Sequence, residues 1–361
     1  MPYATLISSL ADFQQQLVGT WENQDFGVDE HGNPVGGKVN PLSYNIMPLP
    51  QHADPDGYIL KNFKYYETIR FNDNNSDHTI AIAAEAPNRG GLVSQNARAL
   101  FYEQQVKFAE GPAHNDVVHV ENGAWLWLPR FVQQTGPYPA NIDQEAVSDA
   151  LEQPADIMVA KQIAVPHGNS ILALGTFDTV PESRGTGVCK KNSRINGRPV
   201  IPDAPFPYPT PEIPVANLPP PPTLRSILNV DKRYTTLRNN LNDYQNPHPE
   251  LTQCPNKPLQ QAVAIIEPDS YMHWYVTTEQ LQHGKGTVTN IPFERRVSEV
   301  TDYIADYWLL FKEKAGKTLK YLTYTQTILM RLKILDKSTN ELEKYAFPHI
   351  TCNTVTYQSG S

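Results

Sequence analysis

Between residues 58 and 71 apolar and polar side chains alternate. Ile59, Phe63, Tyr65, Ile69 and Phe71 fall on one face, and Asn62, Lys64, Thr68 and Arg70 on the other. A period of two marks a half-buried strand, and the run Asn72-Asp73-Asn74-Asn75 ends it in a turn. The same pattern predicts strands at 78–84, 98–108 and 116–128, the last two joined as a hairpin through Glu110-Gly111-Pro112. Strands at 157–165 and 170–177 flank Pro166-His167-Gly168-Asn169, a turn whose Gly and Asn tolerate positive φ. Alternation returns at 262–266, 271–277 and 303–311. It is most regular at 319–335, where Leu322, Tyr324, Gln326, Ile328, Met330, Leu332 and Ile334 share a face. A turn at Lys337-Ser338-Thr339-Asn340 leads into a last strand, 345–357. Near the N-terminus the period changes: Leu6, Leu10, Phe13 and Leu17 recur at helical spacing, so a short amphipathic helix is expected over 5–17, ahead of a first strand at 18–26.

About ten to twelve short strands separated by turn residues predict an all-β fold, an antiparallel barrel wide enough to hold one ligand, with a short N-terminal helix and a long Pro-rich insertion. The insertion is read from residues 181–258, which hold half of the 32 prolines. Proline cannot donate into a sheet ladder. The chain therefore divides into barrel strands with a leading helix (1–180), an insertion or linker (181–258), and strands that close the barrel or form a second β lobe (259–361). Phe206, Tyr208, Ile213 and Leu218 inside the insertion favour a packed wrap over a solvated tether, and 224–241 has spacing suited to one or two short helices. If both chain ends belong to one barrel, Gly19-Thr20-Trp21 and 347–357 form its seam.

Composition narrows the function classes. A formal charge of −8 and a pI near 5.7 argue against a nucleic-acid partner, which needs a basic face. No apolar run approaches the ~20 residues that span a bilayer, and the N-terminus lacks the basic and apolar regions of a secretory signal. A cytoplasmic protein with no membrane partner is the expectation. Cys189, Cys254 and Cys352 are an odd number at wide spacing, which suggests buried or incidental thiols. There is no H-E-x-x-H, G-x-S-x-G, Walker or G-x-G-x-x-G motif.

Gly19-Thr20-Trp21 resembles the G-x-W opening of lipocalins and their calycin relatives, in which a short helix leads into strand one and the Trp packs across the closed end. Pro348-His349-Ile350-Thr351, following a long strand, resembles the terminal strand of nitrobindin-like heme-binding barrels. Glu121-Asn122-Gly123-Ala124-Trp125 is similar to that family's Glu-x-Gly strand. The resemblance implies a ten-stranded calycin barrel that binds heme, with His349 as the metal ligand. Trp21, Phe63 and Tyr65 are then the candidate residues lining the cofactor. His349, Thr351, Asn353 and Val355 share a face, so the imidazole points inward if Val355 does.

Other residues suggest a second class. Tyr324 and Gln326 interrupt an otherwise apolar face, and buried polar groups require a partner or a ligand. With His167 in its turn, they are the candidate catalytic residues of a cofactor-free cyclase or isomerase acting on an apolar natural-product intermediate. Lipocalin-like two-lobed proteins of such pathways resemble this chain in size and strand content. His119 and Glu121 share a strand face that is expected to be exposed and polar, the alternative being a metal pair or proton relay. His273 and Trp274 lie on opposite faces, so one of them is interior. On either functional reading the partner is a hydrophobic small molecule, as ligand or substrate. A structural or interaction protein whose core is filled by its own side chains is the third possibility.

Overall fold

The computed structural model describes residues 16–23, 43–50, 58–72, 86–90, 93–109, 111–127, 133–134, 159–177, 194–203, 243–245, 255–281, 284–336 and 340–358. Its strands, in chain order, begin with β1 (Gly19–Glu22), β2 (Tyr44–Pro50), β3 (Tyr58–Phe63), β4 (Tyr65–Asn72), β5 (Ala86–Gly90), β6 (Val93–Phe108) and β7 (Val117–Trp127). Next come β8 (Gln133–Gln134), β9 (Val159–Val165), β10 (Asn169–Phe177), β11 (Ile195–Asn196) and β12 (Asp243–Gln245). Helix α1 (Lys257–Ile266) precedes β13 (Ser270–Thr277), β14 (Gln280–Leu281), β15 (Gly284–Lys285) and β16 (Thr287–Asn290). The short helix α2 (Glu294–Val297) then leads to β17 (Ser298–Lys314), β18 (Lys317–Asp336) and β19 (Glu341–Gln358).

Ten of these strands close into one antiparallel barrel in the order β1-β4-β6-β7-β9-β10-β13-β17-β18-β19 and back to β1. The seam joins the chain's two ends, with Trp21 opposite Tyr357 and Thr20 opposite Gln358. Strands from before and after residues 181–258 thus belong to a single barrel. β2 continues the wall beyond β1, pairing with Ile350–Cys352 of β19, and β3 pairs with β2.

The sequence pattern follows the wall closely at β6, β7, β9, β10, β13, β17, β18 and β19. The strand expected from 58 to 71 is interrupted at Lys64, so that β3 and β4 are separate strands with different neighbours, although Phe63, Tyr65, Ile69 and Phe71 stay buried in phase across the break. The strand expected at 262–266 is instead the end of α1. Pro258, Leu259, Ala262, Val263 and Ile266 are its buried residues, at helical spacing. A five-residue apolar window is too short to separate the two periods, and the Pro in the first turn is a helix-start signal. The body of the expected N-terminal helix, the strand at 78–84, residues 206–218, the helices at 224–241, Cys189 and Cys254 lie outside the described residues. Within 181–258, the described pieces lie against the barrel's neighbours. β11 pairs with β13, β12 pairs parallel with β3, and Asn256 donates to the Pro202 carbonyl at 2.9 Å.

Inside the barrel the core is graded along the axis. At the Trp21 end it is closely packed: Leu17, Trp21, Leu309 and Phe311 are fully buried, and the Lys320 ammonium lies over the Tyr357 and Trp21 rings. Trp21 donates its indole N–H to the Leu17 carbonyl at 2.7 Å, which ties the residue before the seam to the floor. Above this floor runs an aromatic stack: Trp125 stands edge-on to Trp274 at 5.9 Å, Trp274 stacks on Tyr307 at 5.4 Å, and Tyr307 on Tyr324 at 5.4 Å. Each such pair adds about 0.5–1.5 kcal/mol to the burial of the rings. At the opposite end the inward-facing His349, Ile328, Met330, Val165 and Val288 are only half-buried.

Candidate functional site

Strand register determines what meets inside. Across β17, β18, β19, β2 and β3, directly opposed residues form one transverse row: Ala305, Gln326, Thr351, Asn45 and Phe63. Opposed residues of an antiparallel pair share a face with Cβ atoms about 4.5–5.5 Å apart. One layer toward the floor, Tyr307, Tyr324 and Asn353 form the next row, and one layer toward the half-buried end Tyr303, Ile328 and His349 form another.

Around and below the Gln326 row lies a belt of buried polar groups in two halves, each held by its own hydrogen bonds. In the first, the Glu67 carboxyl accepts from Tyr324 OH at 2.6 Å and from the side-chain amides of Gln104 and Asn353. Asn23 on the seam binds the backbone around it, accepting from Glu67 N at 2.6 Å and donating to Tyr65 O at 2.6 Å. Burial pushes the Glu67 pKa up to about 7, against the lowering effect of the Tyr324 and Asn353 hydrogen bonds. In the second half, Lys161 donates to Glu121 at 3.3 Å, to Tyr307 OH at 3.0 Å and to Tyr303 OH at 3.2 Å. Tyr102 OH donates to Glu121 at 2.9 Å, and His119 Nε2 lies 3.3 Å from its other oxygen. Burial pushes Glu121 upward, but the Lys161 ammonium, with His119 and Tyr102, more than offsets this and holds it at about 2. Burial alone would lower Lys161; Glu121 and the tyrosines reverse that and keep it charged. Among the described residues the belt holds two carboxyl groups, Glu67 and Glu121, and one ammonium, Lys161. Glu67 is the carboxyl without a cation of its own, and near neutral pH it carries a proton part of the time.

His349 faces the interior, as Val355 does on the same face. Its Nε2 lies 3.1 Å from Asn45 Oδ1, so Nε2 carries the proton and the other ring nitrogen keeps its lone pair. Burial and then His119 push its pKa down to about 3, so the ring is neutral. A neutral imidazole with one nitrogen anchored is the arrangement that metal ligation uses. Among the described residues no group of three or more His, Cys, Asp or Glu side chains is placed to hold a metal ion. An iron at His349 would bring its remaining ligands with it, as heme does. The donor chemistry of His349 fits that group.

The register brings Gln326, Phe63 and His349 to adjacent levels, with Tyr324 and Tyr65 beneath them. Tyr65 OH donates to the Cys352 carbonyl at 3.2 Å, and Phe63 packs with Phe108. Trp21 belongs elsewhere. It sits at the closely packed end opposite Tyr357, eight residues from His349 along β19, roughly 26 Å at 3.3 Å per residue. His167 is exposed in the turn between β9 and β10, its ring 6.2 Å from that of His119; no described contact joins it to Tyr324 or Gln326. His119 and Glu121 do not lie on an exposed face as expected: Glu121 is 2% exposed, and both point inward. The residues that sequence reasoning missed are Glu67 and Lys161. Each is a charge in phase with an apolar face, Glu67 between Tyr65 and Ile69 and Lys161 between Val159 and Ile163, and that phase was the available signal. Trp274 is the interior member of its pair, while His273 on the outer face stacks on Trp308 and lies 3.0 Å from Asp306.

No protein-family model matches this chain, and no curated protein matches it. Among solved structures, the crystal structure of Rv2717c from M. tuberculosis is similar over 97% of both chains, at 11% identity and a TM-score of 0.33.

Proposed function

We propose that this barrel binds a small molecule with an apolar body, taken in at the His349 end, with heme as the specific candidate. The observation that carries the reading is His349 itself: inward-facing, neutral, anchored by Asn45, and set where the interior residues are half-buried. If heme binds, His349 is the residue that holds it, and Ile328, Met330 and Val165 supply the apolar surroundings; the iron would supply the ligand-binding or redox chemistry. The chain's own contribution is to keep the imidazole neutral and oriented. Titration of the purified chain with hemin tests this. A saturating Soret band that is lost in His349→Ala supports it, and a chain that takes up no hemin refutes the heme assignment.

A second reading is favoured by a different observation, the Glu67 carboxyl poised near neutrality beneath Gln326 and beside Tyr324. A group of that pKa can both accept and donate a proton at physiological pH. This supports a cofactor-free isomerase or cyclase of an apolar natural-product intermediate, with Glu67 as the proton-transfer group. Incubating the chain in heavy water with the molecule that co-purifies should then exchange deuterium into it, and Glu67→Gln should abolish that exchange.

A further inference from the structure

Two donors stand together in the row at the top of the belt. Gln326 is 5% exposed and Thr351 is 4% exposed, and they are directly opposed on β18 and β19 with side chains on the inner face. Gln326 accepts a hydrogen bond from Tyr303 OH through Oε1 at 3.1 Å. Its amide nitrogen and the Thr351 hydroxyl make no hydrogen bond among the described residues. Two hydrogen-bond donors with no partner among the described residues thus stand side by side on the inner face, in residues that are almost wholly buried.

The orientation of Gln326 is set by the belt. Lys161 donates to the oxygens of both Tyr303 and Tyr307, which lie 3.0 Å apart. An ammonium has donors only, so both phenol oxygens accept from it and their protons must go elsewhere. The Tyr307 proton goes to Tyr303, and the Tyr303 proton to Gln326 Oε1. That chain of donors leaves the Gln326 NH2 directed away from Tyr303. Lys161, held in turn by Glu121, thus pre-organises an amide donor in the row that also holds Thr351, Asn45 and Phe63.

We propose that Gln326 and Thr351 are the recognition point for a neutral carbonyl oxygen, a ketone, aldehyde, ester or amide, at the end of an apolar ligand. The inference rests on the small-molecule reading above and names the ligand class for its cofactor-free form. A carbonyl oxygen has two lone pairs and takes both donors. A carboxylate is disfavoured because no cation is left for it among the described residues of the belt: Lys161 is paired to Glu121, His349 is neutral, and Glu67 adds negative charge nearby. The apolar remainder of the ligand would lie toward Ile328, Met330 and Val165.

Competition against the neutral dye Nile red, with 2-nonanone, nonanoic acid and nonane as competitors at pH 7.5, tests the proposal on the full chain. In the unaltered chain 2-nonanone should displace the dye at lower concentration than nonanoate. Gln326→Leu should weaken 2-nonanone about fivefold or more, the value of one well-placed hydrogen bond, and Thr351→Val should weaken it less. Neither change should weaken nonane. Unchanged ketone affinity in both variants, equal loss of ketone and alkane, or preference for nonanoate would each overturn the proposal while leaving the binding reading in place. If neither the dye nor any competitor binds the unaltered chain, the proposal falls together with the cofactor-free reading, and the hemin titration decides the heme reading separately. Circular dichroism of each variant separates these outcomes from loss of fold.

Discussion

At the scale of single residues, the belt makes opposite demands on its two carboxyl groups. Glu121 depends on Lys161, and removing one partner of a buried pair leaves the other uncompensated. Lys161→Met is expected to destabilise the chain by about 3–5 kcal/mol in chemical denaturation, and the double variant with Glu121→Gln to recover part of that loss. Glu67 behaves differently. Its folded pKa of about 7 lies above the ordinary 4.5, so the folded state holds the proton more tightly than the unfolded state. Its contribution is fully present below about pH 4.5 and is lost as pH rises through about 7, a change of roughly 3 kcal/mol. His349, lowered from 6.5 to about 3, acts with the opposite sign over part of that window, adding stability as pH rises. The test is therefore the difference between the unaltered chain and Glu67→Gln: their stabilities should diverge between pH 5 and 7, the unaltered chain losing more. Parallel curves would contradict the Glu67 assignment. Sequence made Tyr324 and Gln326 conspicuous because neutral polar side chains broke an apolar face. Glu67 and Lys161 broke apolar faces too, but a charge is most often solvated, and its partners come from strands distant in sequence. Glu67 meets Tyr324 across 257 positions, a pairing that no local pattern contains.

At the scale of elements, alternation alone located most of the barrel wall, because a strand with one dry face records its orientation every second residue. Where the record is brief it misleads, as at 262–266, where the chain is helical. Where one backbone approaches another closely, the record is a glycine. Gly175 in β10 and Gly123 in β7 lie where backbone approaches backbone: a Cβ at Gly175 would fall 1.7 Å from the Tyr275 carbonyl oxygen, and one at Gly123 1.9 Å from that of Gln162. No rotamer relieves an overlap with backbone. Gly175→Ala should cost at least about 3 kcal/mol, the upper end of overpacking penalties, measured by urea denaturation. Gly111, where an added Cβ meets nothing within 4 Å but φ is +77°, should tolerate Ala with a smaller loss from backbone strain alone.

At the scale of the whole molecule, the seam between β1 and β19 does more than close the wall. It carries Asn23 and Asn353 to Glu67, so the contact that completes the barrel also completes one half of the polar belt. The other half, from Glu121 through Lys161 and Tyr303 to Gln326, reaches up to the row beneath His349. The result is a barrel with a closely packed aromatic floor, a polar belt, and an upper end whose inward-facing residues are half-buried. A small molecule is proposed to enter the barrel at that end. Native mass spectrometry of the chain, as purified and after addition of hemin or 2-nonanone, tests this most directly, with a folded Thr351→Trp variant that sets an indole on the inner face of the same row. The predicted result is one bound molecule per chain in the unaltered protein and none in Thr351→Trp. A bare chain that retains neither hemin nor ketone, or a ligand retained equally by the Thr351→Trp variant, would contradict it.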